Sequence, residues 1–333
     1  MLHIFMHNDA DGFASGYQVA KYNIERNHLS NNDYQYHIMD YNKKFPFDLI
    51  KPEDTVYIVD YSIEPEDMIK LLDITKDVIW IDHHISAIEK YSNSSLDLED
   101  ADYIDGLRVN GLSGCALTWI YCNLNWSEMH KHQFNTDKDF LNALKQDFSF
   151  APLWLRLIND WDIWEHKIPE TKPFMIALNN ILSIETIQKL DEDSVENTPI
   201  GECQIDRIDR TKFLKDLIET GNKYIDYRNH WASQLRDRYG YDTNIIGPDN
   251  KSYSMYLLNI GNANSEYFGD KIDEYDIVTT FCFNGIKYNY SMYSNKDYVN
   301  CAELCRYFGV DNGGGHKGAA GFTNKDLLFT KLS

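Results

Sequence analysis

The sequence predicts an α/β protein with a mostly parallel sheet and helices on both faces, followed by a smaller α+β domain. The first half alternates short β-branched or aromatic segments with amphipathic helical stretches, as is typical of such a sheet. The second observation is length, because 333 residues with 43% hydrophobic content suffice for two hydrophobic cores. The third is the return of strand patterns near the C-terminus, after a long polar and charged stretch.

The elements of the first half follow one another as strand, loop and helix. After the first strand, a glycine-containing loop leads into the helical segment FASGYQVAKY, and such junctions are where α/β sheets bind ligands. Pro65 is expected near the start of a later helix, where its missing N–H is harmless. The predicted strands are Leu2 to Met6, Tyr34 to Tyr41, Thr55 to Tyr61 and Val78 to Ile81.

The second half contains a predicted linker and then a hairpin. A polar, acidic stretch with one proline and one glycine interrupts the apolar pattern. We therefore divide the chain into a first domain of residues 1–195, a linker with a long helix over 196–239, and a second domain of 240–333. In the second domain, two strand-like segments flank Asn284 and Gly285, which predicts a hairpin.

The charge of the chain limits its partners. A net charge of −20 and a pI of about 4.8 mean that the average surface repels polyphosphate, so long duplex nucleic acid is not expected as a partner. A small anionic substrate can still bind where bound cations invert the local field. No segment approaches the roughly 18 to 20 apolar residues of a membrane span, and the N-terminus lacks a secretory pattern. We expect a cytoplasmic protein without membrane association.

Acidic and imidazole side chains follow the predicted strands and one apolar helix. They are His7, Asp9 and Asp11 in HNDADG, Asp60 in VYIVDYS, Asp82, His83 and His84 in VIWIDHH, and Asp160 in LIND. Since neighbouring strand ends lie side by side, these carboxylates would crowd together. Several carboxylates within a few ångströms cannot all ionise unless cations lie among them. The pattern indicates a dinuclear metal site.

Each of these residues also has a simpler explanation. An aspartate after a strand is often the N-cap of the next helix, and Asp60 or Asp160 taken singly fits that role better. A histidine pair is often a hydrogen-bonded surface feature. The fourth position is open in another way, because Asp160 and Asp162 both lie in NDWDIW. We favour Asp160, which ends the apolar helix and leaves Trp161 and Trp164 for packing.

Taken in order along the chain, these motifs resemble the four motifs of the DHH phosphoesterase superfamily. That group includes RecJ-type exonucleases, nanoRNases, cyclic-dinucleotide phosphodiesterases and family II inorganic pyrophosphatases. Near the C-terminus, NGGGHKGAAGF at residues 312–322 resembles the glycine-rich signature of the DHHA1 domain. The resemblance therefore extends from residue 7 to residue 322, and it implies a DHH domain followed by a DHHA1 domain.

The resemblance implies a ligand set for two divalent metal ions. The first ion would be held by His7, Asp9 and Asp60, and the second by Asp11, Asp60, His83 and Asp160, so that Asp60 bridges. Mixed imidazole and carboxylate ligands favour Mn²⁺, with Mg²⁺ as the alternative. Two further residues are implied to be catalytic: His84 faces the substrate phosphate, and Asp82 orients a neighbouring ligand.

The glycine signature is interpreted as a substrate-binding segment. Consecutive glycines let backbone N–H groups approach an anion and form a nest for phosphate. His316 and Lys317 add two cationic groups in an otherwise acidic protein. A glycine-rich turn between a helix and a strand is the simpler alternative. The residues assigned to the nest are Gly313, Gly314 and Gly315.

Together these features imply a Mn²⁺-dependent hydrolase that cleaves phosphodiester bonds with a water activated by two metal ions. Because the chain is compact and acidic, we expect short oligonucleotides, as for a nanoRNase-like exonuclease, or small nucleotides as substrates. A homodimer is left open. The alternatives are a cyclic-dinucleotide phosphodiesterase, a nucleotide phosphatase and a non-hydrolytic nucleotide-binding protein. Ligands at every motif argue against the last of these, since a pure binder has no need of them.

Overall fold

The structure is a computed structural model that describes residues 1–92, 104–124, 126, 133–196, 211–309 and 312–331. The chain forms two compact units, Met1–Asn222 and Lys223–Ser333. Residues 197–210 of the predicted linker lie outside the described residues. The finer domain boundaries, including a DHHA1 domain over 240–333, stay a prediction.

The first unit contains a five-stranded, all-parallel sheet, which confirms the predicted fold class. Its strands are β1 (Leu2–His7), β2 (Tyr34–Met39), β3 (Thr55–Val59), β4 (Val78–Asp82) and β5 (Asp105–Arg108). They lie in the order β2-β1-β3-β4-β5. The four predicted strands are confirmed. The fifth escaped prediction because it is short and contains Gly106, where a Cβ would lie 1.9 Å from the carbonyl oxygen of Trp80.

Burial on both faces explains why the central strands have continuous apolar sequences. In β1, Ile4 and Met6 belong to one hydrophobic core, whereas Phe5 belongs to another. Alternate side chains of a strand point to opposite faces, so the sheet is covered on both sides. All the residues of β4 are buried. This arrangement leaves the strand ends as the place where polar side chains can gather.

Helices of the first unit surround this sheet. They are α1 (Ala10–Asn27), α2 (Pro65–Ile74), α3 (Ile85–Ser92), α4 (Gly114–Leu124), α5 (Asp137–Phe148), α6 (Leu153–Asp162), α7 (Thr171–Asn179) and α8 (Ile184–Glu196). The apolar segment FMIALNNILSIETIQKL forms two helices, α7 and α8, instead of one continuous helix. The hydroxyl of Ser183 accepts the N–H of Thr186 and so caps a new helix there.

The second unit contains a six-stranded mixed sheet. Its strands are β6 (Gly240–Ile246), β7 (Ser252–Asn259), β8 (Ile277–Phe283), β9 (Tyr288–Tyr293), β10 (Gly314–Gly315) and β11 (Ala319–Asn324), in the order β10-β11-β9-β8-β7-β6. Of these six described strands, β7 and β8 pair in parallel and the other neighbours pair antiparallel. Asn284 and Gly285 connect β8 to β9 in the predicted hairpin, and Gly285 has a φ of 96°.

Three further helices complete the described chain. They are α9 (Lys212–Tyr239), within which the division between the units falls, α10 (Lys271–Glu274) and α11 (Cys301–Gly309). Short 3-10 turns occur at Phe47–Leu49 and Ser265–Phe268. Among the helices in the described ranges, none has both the length and the apolar character needed to cross a membrane.

Candidate metal centre

The parallel strands bring the predicted acidic and imidazole side chains to one edge of the first sheet. His7 is the last residue of β1, Asp60 directly follows β3, and Asp82 ends β4. His83 and His84 come next in the loop before α3. Because carboxyl ends of parallel strands meet at the same edge, residues far apart in sequence converge there.

Within the described residues, three groups of these side chains are close enough to hold a metal ion. In each group one ligand atom per residue lies within 4.8 Å of the others. The groups are His7, Asp9 and Asp60; Asp11, His83 and Asp162; and Asp60, Asp82, His83 and His84. Two of the groups share Asp60, as a bridging ligand requires.

Asp60 is the residue whose environment most requires a cation. It is 1% exposed, and neither of its carboxylate oxygens accepts a hydrogen bond from the residues that the structure describes. Burial and the neighbouring carboxylates of Asp11 and Asp9 raise the pKa of Asp60 well above its usual range. Its backbone is left-handed, with a φ of 51°, a conformation that non-glycine residues adopt mostly where the surrounding structure imposes it. A buried carboxylate without donors fits a metal ligand and not a helix cap.

Asp11 is held by the N-terminus of α4. Its carboxylate accepts the N–H groups of Gly114, at 2.6 Å, and Cys115, at 2.8 Å. The positive end of the helix dipole therefore faces this carboxylate. Gly114 also makes room for Asp60, because a Cβ at position 114 would lie 2.5 Å from the Asp60 Cβ. The start of α4 thus fixes the positions of two carboxylates at once.

The imidazole of His83 lies among three carboxylates. Its Nε2 atom is 3.2 Å from Asp60 Oδ1, 3.4 Å from Asp162 Oδ2 and 3.7 Å from Asp11 Oδ2. Burial lowers the pKa of His83, which favours the neutral ring that a metal needs as a ligand. Burial, together with Asp11 and Asp9, raises the pKa of Asp162 to about 8. A shared cation would satisfy all these groups.

Asp82 and His84, which belong to one of the three groups, form a hydrogen-bonded pair. His84 Nδ1 lies 2.7 Å from an oxygen of the fully buried Asp82, which also accepts the N–H of His83 and the hydroxyl of Ser62. Although burial opposes it, the hydrogen bond from His84 lowers the pKa of Asp82. The same bond raises the pKa of His84. The pair therefore favours the protonated form of the His84 imidazole.

His7 and Asp9 form a second pair. His7 Nδ1 lies 2.6 Å from Asp9 Oδ2, and this bond raises the pKa of His7. The other oxygen of Asp9 accepts the N–H of Gly12 and caps α1. Capping uses one oxygen of the carboxylate, so it does not prevent Asp9 from binding a metal through the other. Gly12 is required by close packing, because a Cβ there would lie 2.2 Å from the His7 carbonyl oxygen.

The N-terminal part of the chain matches a known protein family. Residues 1–145 match the model described as "DHH family, N-terminal domain". This part of the chain belongs to the DHH family. The matched range contains β1 to β5 and, except for Asp162, every residue of the three groups of candidate metal ligands.

Other proteins resemble this chain only distantly. The uncharacterized protein R106 of Acanthamoeba polyphaga mimivirus is 23% identical over 326 residues; the match covers 94% of this chain but only 64% of that protein. RecJ from Thermus thermophilus in complex with Mn²⁺ is 14% identical with a TM-score of 0.42, covering 96% of this chain and 49% of RecJ. The pGpG-specific phosphodiesterase PggH from Vibrio cholerae is 12% identical with a TM-score of 0.39, and the match covers 98% of this chain and 94% of PggH.

The carboxylate of Asp160, a predicted ligand, is held by the loop that follows α6. Its carboxylate accepts the N–H groups of Lys167 and Ile168 and the hydroxyl of Thr171. Asp162, two residues later, joins Asp11 and His83 instead. Asp160 stays a prediction, and Asp162 is the better-placed candidate, because the oxygens of Asp160 already accept hydrogen bonds from the chain that follows α6.

The two aspartates offer a matched pair of variants. Asp162→Asn should weaken Mn²⁺ binding by at least about tenfold to a hundredfold, since a carboxylate of the cluster loses its charge. Asp160→Asn makes the same chemical substitution two residues earlier, but it should leave the Mn²⁺ affinity close to that of the wild type. Calorimetric titration of both metal-free variants with Mn²⁺ compares them directly. Equal losses in the two variants would contradict the preference for Asp162.

The predicted substrate-binding glycines lie in the second unit, in a short hairpin. Gly314 and Gly315 pair with β11, and the N–H of His316 donates to the carbonyl of Ala319 at 2.8 Å. Gly313 is needed for packing, because a Cβ there would lie 1.8 Å from the Cys305 carbonyl oxygen. Gly315 has a φ of 139°. The simpler interpretation as a turn accounts for Gly313 and Gly315, and phosphate binding stays a prediction.

Several contributors to the site were missed by the sequence analysis. The N–H groups of Gly114 and Cys115 carry no side-chain signal, and the local sign is the small-residue sequence SGCA at a helix start. Tyr41 was also missed: the residue is 61% exposed, and its ring centroid lies 5.6 Å from that of His7 and 6.4 Å from that of His84. An exposed aromatic residue at a strand end was the available signal.

Proposed function

We propose that this chain is a metal-dependent phosphodiesterase that hydrolyses short oligonucleotides, with Mn²⁺ as the preferred ion. Membership of the DHH family and the carboxylate–imidazole cluster support the broader class, a metal-dependent phosphoesterase. The observation that carries the proposal is Asp60, whose two buried oxygens have no donor in the described chain and whose neighbours are also acidic. Neighbouring buried carboxylates can all ionise only when cations lie among them, and groups with such shifted pKa values are concentrated at functional sites.

Two metal positions are proposed from the cluster. The first is formed by His7, Asp9 and Asp60, and the second by Asp11, His83 and Asp162. We add Asp60 to the second position because its Oδ1 lies 3.2 Å from His83 Nε2. When bound, two divalent ions would lower the pKa of a water molecule and neutralise charge on the phosphate. The chain's contribution is to hold these ligands before any ion arrives, through the α4 N-terminus at Asp11 and the α1 cap at Asp9.

His84 is proposed to bind the substrate phosphate. Asp82 fixes its Nδ1 and favours the protonated ring, so Nε2–H can donate a charge-assisted hydrogen bond to a phosphate oxygen. The side chain of His84 is 35% exposed, whereas that of Asp82 is fully buried. Asp82 therefore acts as a positioning residue that sets the direction and charge of His84.

The charge of the chain favours a short substrate. At a net charge of −20, the surface away from the cluster repels additional phosphates, and this cost grows with the length of the polymer. A substrate with one or a few phosphates places most of its charge at the metal centre. Short oligonucleotides and small nucleotides fit this distribution better than duplex nucleic acid.

A substrate panel tests the proposal. Purified protein with Mn²⁺ is incubated with RNAs from dinucleotides to about 24 nucleotides, with cyclic dinucleotides, with a nucleoside monophosphate and with pyrophosphate. We expect Mn²⁺-dependent cleavage of RNA, with kcat/KM falling as length increases. Faster turnover of the cyclic dinucleotides or of the monophosphate would replace the proposed substrate by that class. Nucleotide binding without hydrolysis of any member would overturn the enzyme assignment.

The glycine hairpin supplies a prediction for substrate binding. A Cβ at Gly314 meets nothing within 4 Å among the described residues, so Gly314→Ala should fold normally. If the N–H groups of the hairpin hold a phosphate, the added methyl should raise KM for a dinucleotide about tenfold, the value of one charge-assisted hydrogen bond. Gly313→Ala is the control for a structural effect and should lower the melting temperature. An unchanged KM in Gly314→Ala would mean that the glycine signature is only a turn.

A further inference from the structure

An exposed aromatic cluster flanks the proposed metal ligand Asp162 in the sequence. It consists of Trp161, Trp164 and His166. The two indole rings are nearly parallel, at 22°, with centroids 6.4 Å apart, and His166 meets both of them edge-on. Trp161 packs partly against the core, whereas Trp164 is 79% exposed. Asp162 lies between the two tryptophans in sequence, so the segment that carries the cluster also carries a proposed metal ligand.

The loop that presents Trp164 is fixed by Asp160. The carbonyl oxygen of Asp160 accepts the N–H groups of Glu165 and His166, and its carboxylate accepts those of Lys167 and Ile168. The hydroxyl of Thr171 donates to the same carboxylate. Asp160 is only 4% exposed, so these bonds are shielded from water. The aromatic cluster therefore sits on a well-defined loop.

The backbone of this loop is strained at two residues. Trp164 has a φ of 56° and His166 a φ of 47°, in the left-handed region that bulky residues seldom adopt. Strained backbone of this kind persists only where surrounding bonds impose it, and it concentrates at ligand sites. Here the bonds of Asp160 impose it, and the result is an indole ring held in solvent. Burial of an apolar side chain would have been the favoured outcome otherwise.

We propose that Trp161, Trp164 and His166 form a stacking platform for a nucleobase of the substrate, and that Asp160 is its positioning residue. The inference rests on the proposed function, because the phosphate attached to that base would be bound at the candidate metal centre. The flat π-surface of an indole suits a base, and stacking on indole tolerates any base. The platform therefore selects nucleotides over phosphate esters without a planar group, but not one sequence over another.

Binding of a mononucleotide tests the platform without catalysis. The probes are adenosine 5′-monophosphate and ribose 5-phosphate, titrated into Mn²⁺-loaded protein by calorimetry. Wild type should bind the adenosine compound more tightly. Trp164→Ala should weaken its binding roughly fivefold to a hundredfold, leave ribose 5-phosphate unchanged, and be largely rescued in Trp164→Phe. Phe150→Ala, at an aromatic residue 65% exposed elsewhere in the same unit, is the matched control and should change neither affinity.

Two results would overturn the platform. One is equal affinity of the wild type for the two probes; the other is a Trp164→Ala variant that binds adenosine 5′-monophosphate as the wild type does. The second result would leave a protein-docking role for the exposed indole, which a pull-down with wild type and Trp164→Ala can then compare.

The kinetics of Asp160→Asn separate positioning from metal binding. This variant should raise KM for a dinucleotide while leaving kcat and Mn²⁺ affinity near their wild-type values. A dinucleotide in which one base is replaced by hydrogen should show no such rise. If base-dependent binding through Trp164 is present but no substrate is hydrolysed, the platform stands and the proposed function fails. If hydrolysis occurs without any dependence on Trp164, the reverse holds.

Discussion

The Asp60→Asn variant is expected to lose hydrolysis by about a thousandfold or more. Asp60 is the one carboxylate shared by the two proposed metal positions, and the loss of several kcal/mol of charge stabilisation corresponds to that factor. The same change should stabilise the metal-free protein, because it removes a buried negative charge that lies beside Asp11 and Asp9 and has no donor in the described chain. Each kcal/mol regained corresponds to a rise in melting temperature of roughly 2–4 °C for a domain of this size.

The opposite signs of these two effects make the prediction specific. A residue that only supports the fold would lose activity and stability together. Asp73→Asn, on the exposed side of α2, removes the same charge and should change neither quantity. Activity above a few per cent of wild type in Asp60→Asn, or a lower melting temperature of its metal-free form, would contradict the bridging role.

The metal-free protein should become less stable as the pH rises from about 4 to about 8. The pKa of Asp162 rises from 3.8 in the unfolded chain to about 8 in the folded one, and that of Asp60 moves in the same direction. For a raised pKa, the stabilising contribution is complete below the unfolded value and is lost as the pH passes the folded value. Saturating Mn²⁺ should reverse the trend, adding about 2.7 kcal/mol at a hundredfold excess over its Kd.

Melting temperatures measured at several pH values, with chelator and with Mn²⁺, check this expectation. His37 opposes the trend, because burial lowers its pKa to about 4 and its contribution is lost as the pH falls. Comparison with Asp162→Asn removes that background, since both proteins contain His37. A wild type whose metal-free stability follows that of Asp162→Asn at every pH would show that the carboxylates do not repel one another.

The sequence predicted that polar side chains meet at one edge of the first sheet, because each signal for this lies within a short segment of the chain. Each of β1, β3 and β4 is an apolar run followed by a polar residue, and parallel strands place such ends together. HNDADG, Asp60 and the Asp82 segment were therefore found as one cluster. The prediction needed only the strand pattern and the order of the motifs, not the packing of individual side chains.

Contacts between distant segments could not be predicted in this way. Gly114 and Cys115 reach Asp11 across more than a hundred residues of chain, through backbone N–H groups that leave no mark in the side chains. The choice between Asp160 and Asp162 depended on where the chain turns after α6. Because the loop of residues 163–168 folds back onto Asp160, that carboxylate is taken up by backbone bonds, and only the structure reveals this.

The most direct test of the metal centre is a calorimetric titration of metal-free protein with Mn²⁺, carried out in parallel on wild type and Asp60→Asn. A dinuclear site built on Asp60 predicts two ions per chain for wild type and the loss of tight binding in the variant. Absence of binding to wild type, or the same stoichiometry and affinity in Asp60→Asn, would contradict the assignment of this cluster as a metal centre.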